Sequence, residues 1–201
     1  MNTNTTEALR RIAIARALTS KDIIYWAKFS QGLRPVAKPG LGTFAVTREL
    51  VLLFDPDVAA TQWTPEQVRF AFEHEVYHVA LRHAERADRL REAEGATFDQ
   101  HLWNVCADFE CNRLARARGR AVIPGVCFAA DYGLPENVVA EVAYRTLREQ
   151  QQQQQEQGEQ GEQGGEQGEQ GEQGGEQGQP GNGDKPGDGG RSEEHTSELQ
   201  S

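Results

Sequence analysis

The chain has 201 residues, with 21 Lys+Arg against 31 Asp+Glu and a formal net charge of −10. The imbalance sits at one end: residues 1–148 carry 19 basic and 18 acidic side chains, and residues 149–201 carry 2 and 13. The front part thus has no basic excess to draw it to nucleic acid, and no stretch reaches the roughly 20 apolar residues that span a bilayer.

Nucleic acid and membrane are therefore not expected as partners. Residues 1–148 are numerous enough to bury a core, and we expect one folded domain there. Three cysteines, Cys106, Cys111 and Cys127, form no paired framework. The N-terminus lacks the apolar run of a secretory leader. Both features read as a cytoplasmic protein.

Residues 6–18 predict an amphipathic helix, with Leu9, Ile12, Ala13 and Ala17 at helical spacing. Ser20 reads as the cap of a second helix through about Phe29. Gly32, Pro35, Pro39, Gly40 and Gly42 read as a loop. Thr43–Val46 and Leu50–Phe54 are β-branched and aromatic, and predict a hairpin or a bent strand ending at Asp55-Pro56. Thr64 then caps a helix with Pro65 at its first position, running unbroken to Gly95. A third long helix covers about Phe98 to Arg118 and closes at Gly119. A short helix over 136–148 completes the domain. The fold class is α+β: mainly helical, with a short sheet or hairpin.

From 149 the chain is Gln, Glu and Gly without apolar periodicity. Such a segment buries too little surface to offset ordering, so 149–190 reads as a disordered acidic linker. The last eleven residues, RSEEHTSELQS, match a sequencing-adapter DNA codon for codon. Residues 191–201 read as an assembly artefact, with the natural protein continuing past the linker. His195 is not counted as a ligand for that reason.

The chemistry lies in HEVYH, residues 74–78. A spacing of four places His74 and His78 one turn apart on one helix face. Two imidazoles so placed can share a zinc ion, which takes nitrogen ligands at about 2.0–2.1 Å. Glu75 is then placed to act as general base on a zinc-activated water. Such a site needs a third protein ligand. His83 sits five residues past His78, a rotation of about 140° on a continuous helix. It therefore reads as a surface residue or a support behind a ligand. On the next long helix Asn104, Asp108, Cys111 and Asn112 share one stripe. Asp108 lies among Trp103, Val105, Ala107 and Phe109, where a carboxylate needs a partner. Asp108 is the expected third ligand, with His101 in reserve. Glu110 reads as pointing elsewhere, and Cys106 and Cys111 as packing residues.

HEVYHVALRHAER followed by WNVCADFECN resembles the metallopeptidase domain that precedes a VWA-like domain in many bacterial proteins. That family pairs an HExxH helix and a following RH with an N-x-x-x-D-x-x-x-N helix, here Asn104, Asp108 and Asn112. TFAVTRELVLLFDPD and LPENVVAEVAYRTL also look like the family, so the resemblance covers about 5–148. It implies a zincin-like fold, a short sheet whose edge binds peptide beside the metal, and a VWA-like domain beyond the linker. It also implies a MoxR-type AAA+ ATPase as a partner. Two readings follow. One is a zinc metallopeptidase acting on a peptide or protein substrate. The other is a non-catalytic metal-binding or adaptor module working with such an ATPase.

Overall fold

A computed structural model describes residues 2–163. The described residues fall into two units, one ending at Leu147 and one beginning at Arg148. The first unit holds helices α1 (Thr3–Asp22), α2 (Ala27–Gly32), α3 (Pro65–Ala80), α4 (His83–Glu94) and α5 (Gln100–Ala117). It also holds strands β1 (Arg34–Ala37), β2 (Phe44–Val46) and β3 (Val51–Phe54), and the start of α6 (Ala140–Gln163). The described part of the second unit is the rest of α6.

The α+β expectation holds. The hairpin is present: β2 pairs antiparallel with β3, with Phe44 opposite Phe54 and Val46 opposite Leu52. The sheet has a third strand where a loop was expected. β1 runs parallel to β3, with Pro35 opposite Leu52. Proline is tolerated because β1 is an edge strand, in the order β1-β3-β2.

Three helix expectations need correction. Ser20 does not cap a second helix, because it lies inside α1; α2 starts after a short turn over Ile24–Trp26. The motif helix does not run unbroken to Gly95. It ends at Ala80, and Arg82 takes a left-handed conformation (φ 58°, ψ 42°) before α4 begins. The last helix does not end at 148 but continues to Gln163, through a run rich in Gln and Glu of good helix propensity that also includes Gly158 and Gly161. The remainder of the expected linker and all of 191–201 lie outside the described residues.

The start of α3 is fixed as its sequence suggests. Thr64 Oγ1 accepts from the Gln67 backbone at 3.2 Å, and Gln67 Oε1 accepts from the Thr64 backbone at 2.9 Å. The helix lies between two hydrophobic clusters. Val68, Phe72 and Val76, four apart, bury against Ala8 and Ile12 of α1 and Phe44, Val46, Leu52 and Phe54 of the sheet. Phe70 and Tyr77 bury against Cys111 and Ala115 of α5. Each such side chain contributes about 1.5–3 kcal/mol on burial. A third cluster, including Trp103, Phe109, Ala143 and Tyr144, holds α4, α5 and the start of α6 together.

One buried charge pins the residue just before the motif. Glu73 is fully buried and accepts from Thr19 at 3.1 Å, Arg69 at 3.0 Å and Arg120 at 2.9 Å. These bonds tie α1, α3 and the segment after α5 to one carboxylate. No described helix is long and apolar enough to cross a membrane.

Candidate metal centre

His74 and His78 sit one turn apart on α3, and their Nε2 atoms are 2.9 Å apart. Asp108 of α5 faces both: its Oδ1 is 3.4 Å from His74 Nε2 and 3.1 Å from His78 Nε2. The imidazole side chains are about one-seventh exposed, at 14% and 13%. The cluster is thus mostly screened from water.

The positions of the ring protons follow from the neighbours. Asn112 donates its side-chain NH₂ to the Cys127 carbonyl at 3.0 Å. Its Oδ1 therefore faces His74 Nδ1, 2.8 Å away, and accepts an N–H from it. That leaves a bare lone pair on Nε2 of a neutral His74. For His78 the argument starts at Glu110. The Glu110 carboxylate can only accept, so His83 Nε2, 3.3 Å away, carries the proton. With His83 taken as a neutral ring, its Nδ1 is bare. His78 Nδ1 lies 2.8 Å from it and must donate. His78 Nε2 is therefore bare as well.

Three acceptors thus meet with no N–H or O–H between them: two imidazole lone pairs and a carboxylate oxygen. Such a meeting calls for a cation. In the protein alone a proton fills the role. Burial pushes His74 down, but the charge and hydrogen bond of Asp108 outweigh it and hold His74 at about 9. His78 is pushed down to about 4, first by burial, with His74 and His83 adding to the effect against the Asp108 hydrogen bond. Burial disfavours the Asp108 carboxylate, yet His74 and His78 hold it well below the usual range.

The donor set also fits a zinc ion. Neighbouring ligands on a tetrahedral ion at about 2.0–2.1 Å are about 3.3 Å apart, close to the separations found here. Cys111 is a further possible ligand. His74, His78 and Cys111 offer atoms all within 4.8 Å of one another. Its thiol is fully buried, and burial together with the charges of Asp108, Glu75 and Glu110 holds its pKa well above the ordinary value.

Glu75 is 6% exposed. Burial raises its pKa to about 7, and the charge of Asp108 adds to this against His74 and the Val46 backbone N–H. It thus stands at neutral pH with a proton readily gained or lost.

The structure brings His74, His78 and Asp108 together with Glu75 beside them. His101, the reserve ligand, lies exposed at the start of α5. Asn104 is instead engaged by Gln100 at 2.8 Å. His83 is not a surface residue: it is 2% exposed and stands directly behind His78. Glu110 does point away from the three acceptors, as expected, but it points at His83. No glycine marks the break at Arg82, so periodicity gave no signal for the contact with Glu110; a place for His83 behind a ligand was one of the two readings of its position. A buried carboxylate next to Phe109 and Cys111 was the one available hint that Glu110 had a partner.

A family model described as "Putative metallopeptidase domain" matches residues 7–200. No curated protein matches the chain, and no solved structure does.

Proposed function

The chain belongs to that metallopeptidase-domain family, and from this premise we propose that it is a zinc-dependent metallopeptidase whose ligands are His74, His78 and Asp108. The observation that carries the reading is the meeting of three acceptors within 2.9–3.4 Å of one another. Asp108 is preferred to Cys111 as third ligand. The carboxylate is already an anion and already faces both imidazoles.

A zinc ion held there supplies Lewis acidity and brings a water towards ionisation near neutral pH. The protein supplies the rest. Glu75 takes a proton from the attacking water and returns it to the leaving amine nitrogen. The substrate class is a peptide or protein.

The test is Glu75→Gln in the full chain. Zinc content should stay unchanged and peptide hydrolysis should fall by about 10²–10⁴-fold. Hydrolysis that survives this substitution would remove Glu75 from the mechanism.

Cys111 favours a second reading. His74, His78 and Cys111 offer ligand atoms within 4.8 Å of one another; with Asp108 added, an ion there would have four protein ligands and no open position, as structural zinc sites do. The protein would then be a non-catalytic module. Cys111→Ser separates the two: a structural site loses zinc, whereas a three-ligand site keeps it.

A further inference from the structure

Behind His78 runs a chain of contacts that the proposed chemistry does not use. His78 Nδ1 meets His83 Nδ1 at 2.8 Å. His83 Nε2 meets Glu110 Oε2 at 3.3 Å. Glu110 is held in turn by Arg86, at 3.1 and 2.8 Å, and by the Ala140 backbone N–H at 2.5 Å. Arg86 is fixed from its other side by Glu141. His83 and Glu110 are both buried, at 2% and 6%.

Four elements converge on this chain: α3 supplies His78, α4 supplies His83 and Arg86, α5 supplies Glu110, and α6 supplies Ala140 and Glu141. A five-residue step on a straight helix would turn His83 away from His78. The left-handed Arg82 redirects the backbone and brings the two rings to a centroid separation of 4.9 Å, edge to face. A non-glycine residue in that conformation is strained, because its Cβ crowds the following carbonyl oxygen. The fold bears that strain and obtains a histidine behind a histidine.

We propose that His83 is a positioning residue, which holds the Nδ1 proton of His78 and thereby aims the bare Nε2 of His78 at Asp108 and His74. The inference rests on the metal-centre reading above. The Nδ1–H of a ligand histidine commonly goes to a carboxylate or carbonyl, and that partner fixes tautomer and ring orientation. Here a second imidazole is placed between ligand and carboxylate. His83 accepts at Nδ1 and donates at Nε2, so one ring passes the polarity of Glu110 on to His78. Arg86 and the first turn of α6 keep Glu110 in place as an anion that can only accept.

The test compares the full chain with His83→Phe, His83→Gln and His83→Asn. Zinc affinity is read by competition with a chromogenic chelator. The His78 tautomer is read by two-bond proton–nitrogen coupling in ¹⁵N-histidine protein. Phe fills the space but offers no acceptor, and should lower zinc affinity by about 10–100-fold. Gln keeps both an acceptor and a donor, and should restore most of the loss. Asn keeps an acceptor at the Nδ1 position without reaching Glu110, and should fall between; it carries the test if the Phe variant fails to fold. Wild-type His78 should carry its proton on Nδ1. Equal zinc affinity in all four proteins, or a wild-type His78 protonated on Nε2 alone, overturns the role of His83. Failure of the wild type itself to take up zinc overturns the metal-centre reading, and this inference with it.

Discussion

Asn112 accepts the Nδ1–H of His74 at 2.8 Å and donates its own NH₂ to the Cys127 carbonyl at 3.0 Å. The amide is thereby fixed at both ends, and His74 can present only Nε2 to Asp108. Asn112 is buried, at 1% exposure. Asn112→Leu removes the acceptor and strands both the imidazole N–H and a carbonyl. We expect a stability loss of about 1–3 kcal/mol and a fall in zinc affinity of about 10–100-fold. Chemical denaturation and chelator competition read the two effects. Asn112→Asp keeps the acceptor for His74 and drops the donor to Cys127, so it should lose stability but keep most of its zinc affinity.

Arg82 gives a backbone test. Its φ of 58° suits glycine, and its side chain is exposed. Arg82→Gly relieves the left-handed penalty but adds freedom to the unfolded chain, so its net effect should be small, within about 1 kcal/mol of wild type. Arg82→Val brings a β-branched side chain to that conformation and should destabilise by more than about 1 kcal/mol. Thermal melts in which Val is as stable as Gly would contradict the left-handed break.

Stability of the metal-stripped chain should depend on pH in a defined window. His74 has a folded pKa of about 9 against an ordinary 6.5. Its contribution is therefore complete below about pH 6.5 and lost as pH rises through 9. Glu75, raised to about 7 from 4.5, has the same sign but is spent by pH 7. His78, lowered to about 4, acts in the opposite sense, adding stability between 4 and 6.5 as pH rises. Between pH 7 and 9 His74 alone of these three remains. The stripped protein should lose roughly 2–4 kcal/mol over that range. His74→Asn should flatten the profile. A wild-type midpoint that does not fall from pH 7 to pH 9 would contradict the proton-for-cation arrangement.

Arg86 should matter out of proportion to its place on α4. It is the counter-ion of Glu110, which burial would otherwise drive up in pKa and which His83, Arg86 and the Ala140 N–H hold well below its usual range. Arg86→Met leaves that carboxylate buried without its cation. The expected loss is about 3–5 kcal/mol, read by urea denaturation. A loss below about 1 kcal/mol would show that Glu110 does not depend on Arg86.

Much of this arrangement was legible in the residues. The four-residue step put His74 and His78 on one face, and the Asp108 stripe pointed to the facing helix. Thr64-Pro65 marked the start of α3, and the β-branched runs marked β2 and β3. What escaped were features that tertiary context decides. β1 carries Pro35, which reads as a loop unless the strand is known to lie at an edge. Arg82 breaks the helix without glycine or proline, so periodicity ran straight through it to Gly95. The same break decides between the two readings of His83, whose place behind His78 depends on the turn at Arg82. Glutamine and glutamate carried α6 past 148 because low hydrophobicity argues against a core, not against a helix.

The central claim is that Asp108, with His74 and His78, holds the metal. The most direct measurement is the zinc content of the full chain, purified without chelator, for wild type, Asp108→Ala and Cys111→Ser. The expected result is about one zinc per chain in wild type and in Cys111→Ser, and a sharp loss in Asp108→Ala. Full zinc in Asp108→Ala would contradict the carboxylate ligand, and loss in Cys111→Ser alone would place the cysteine in its stead.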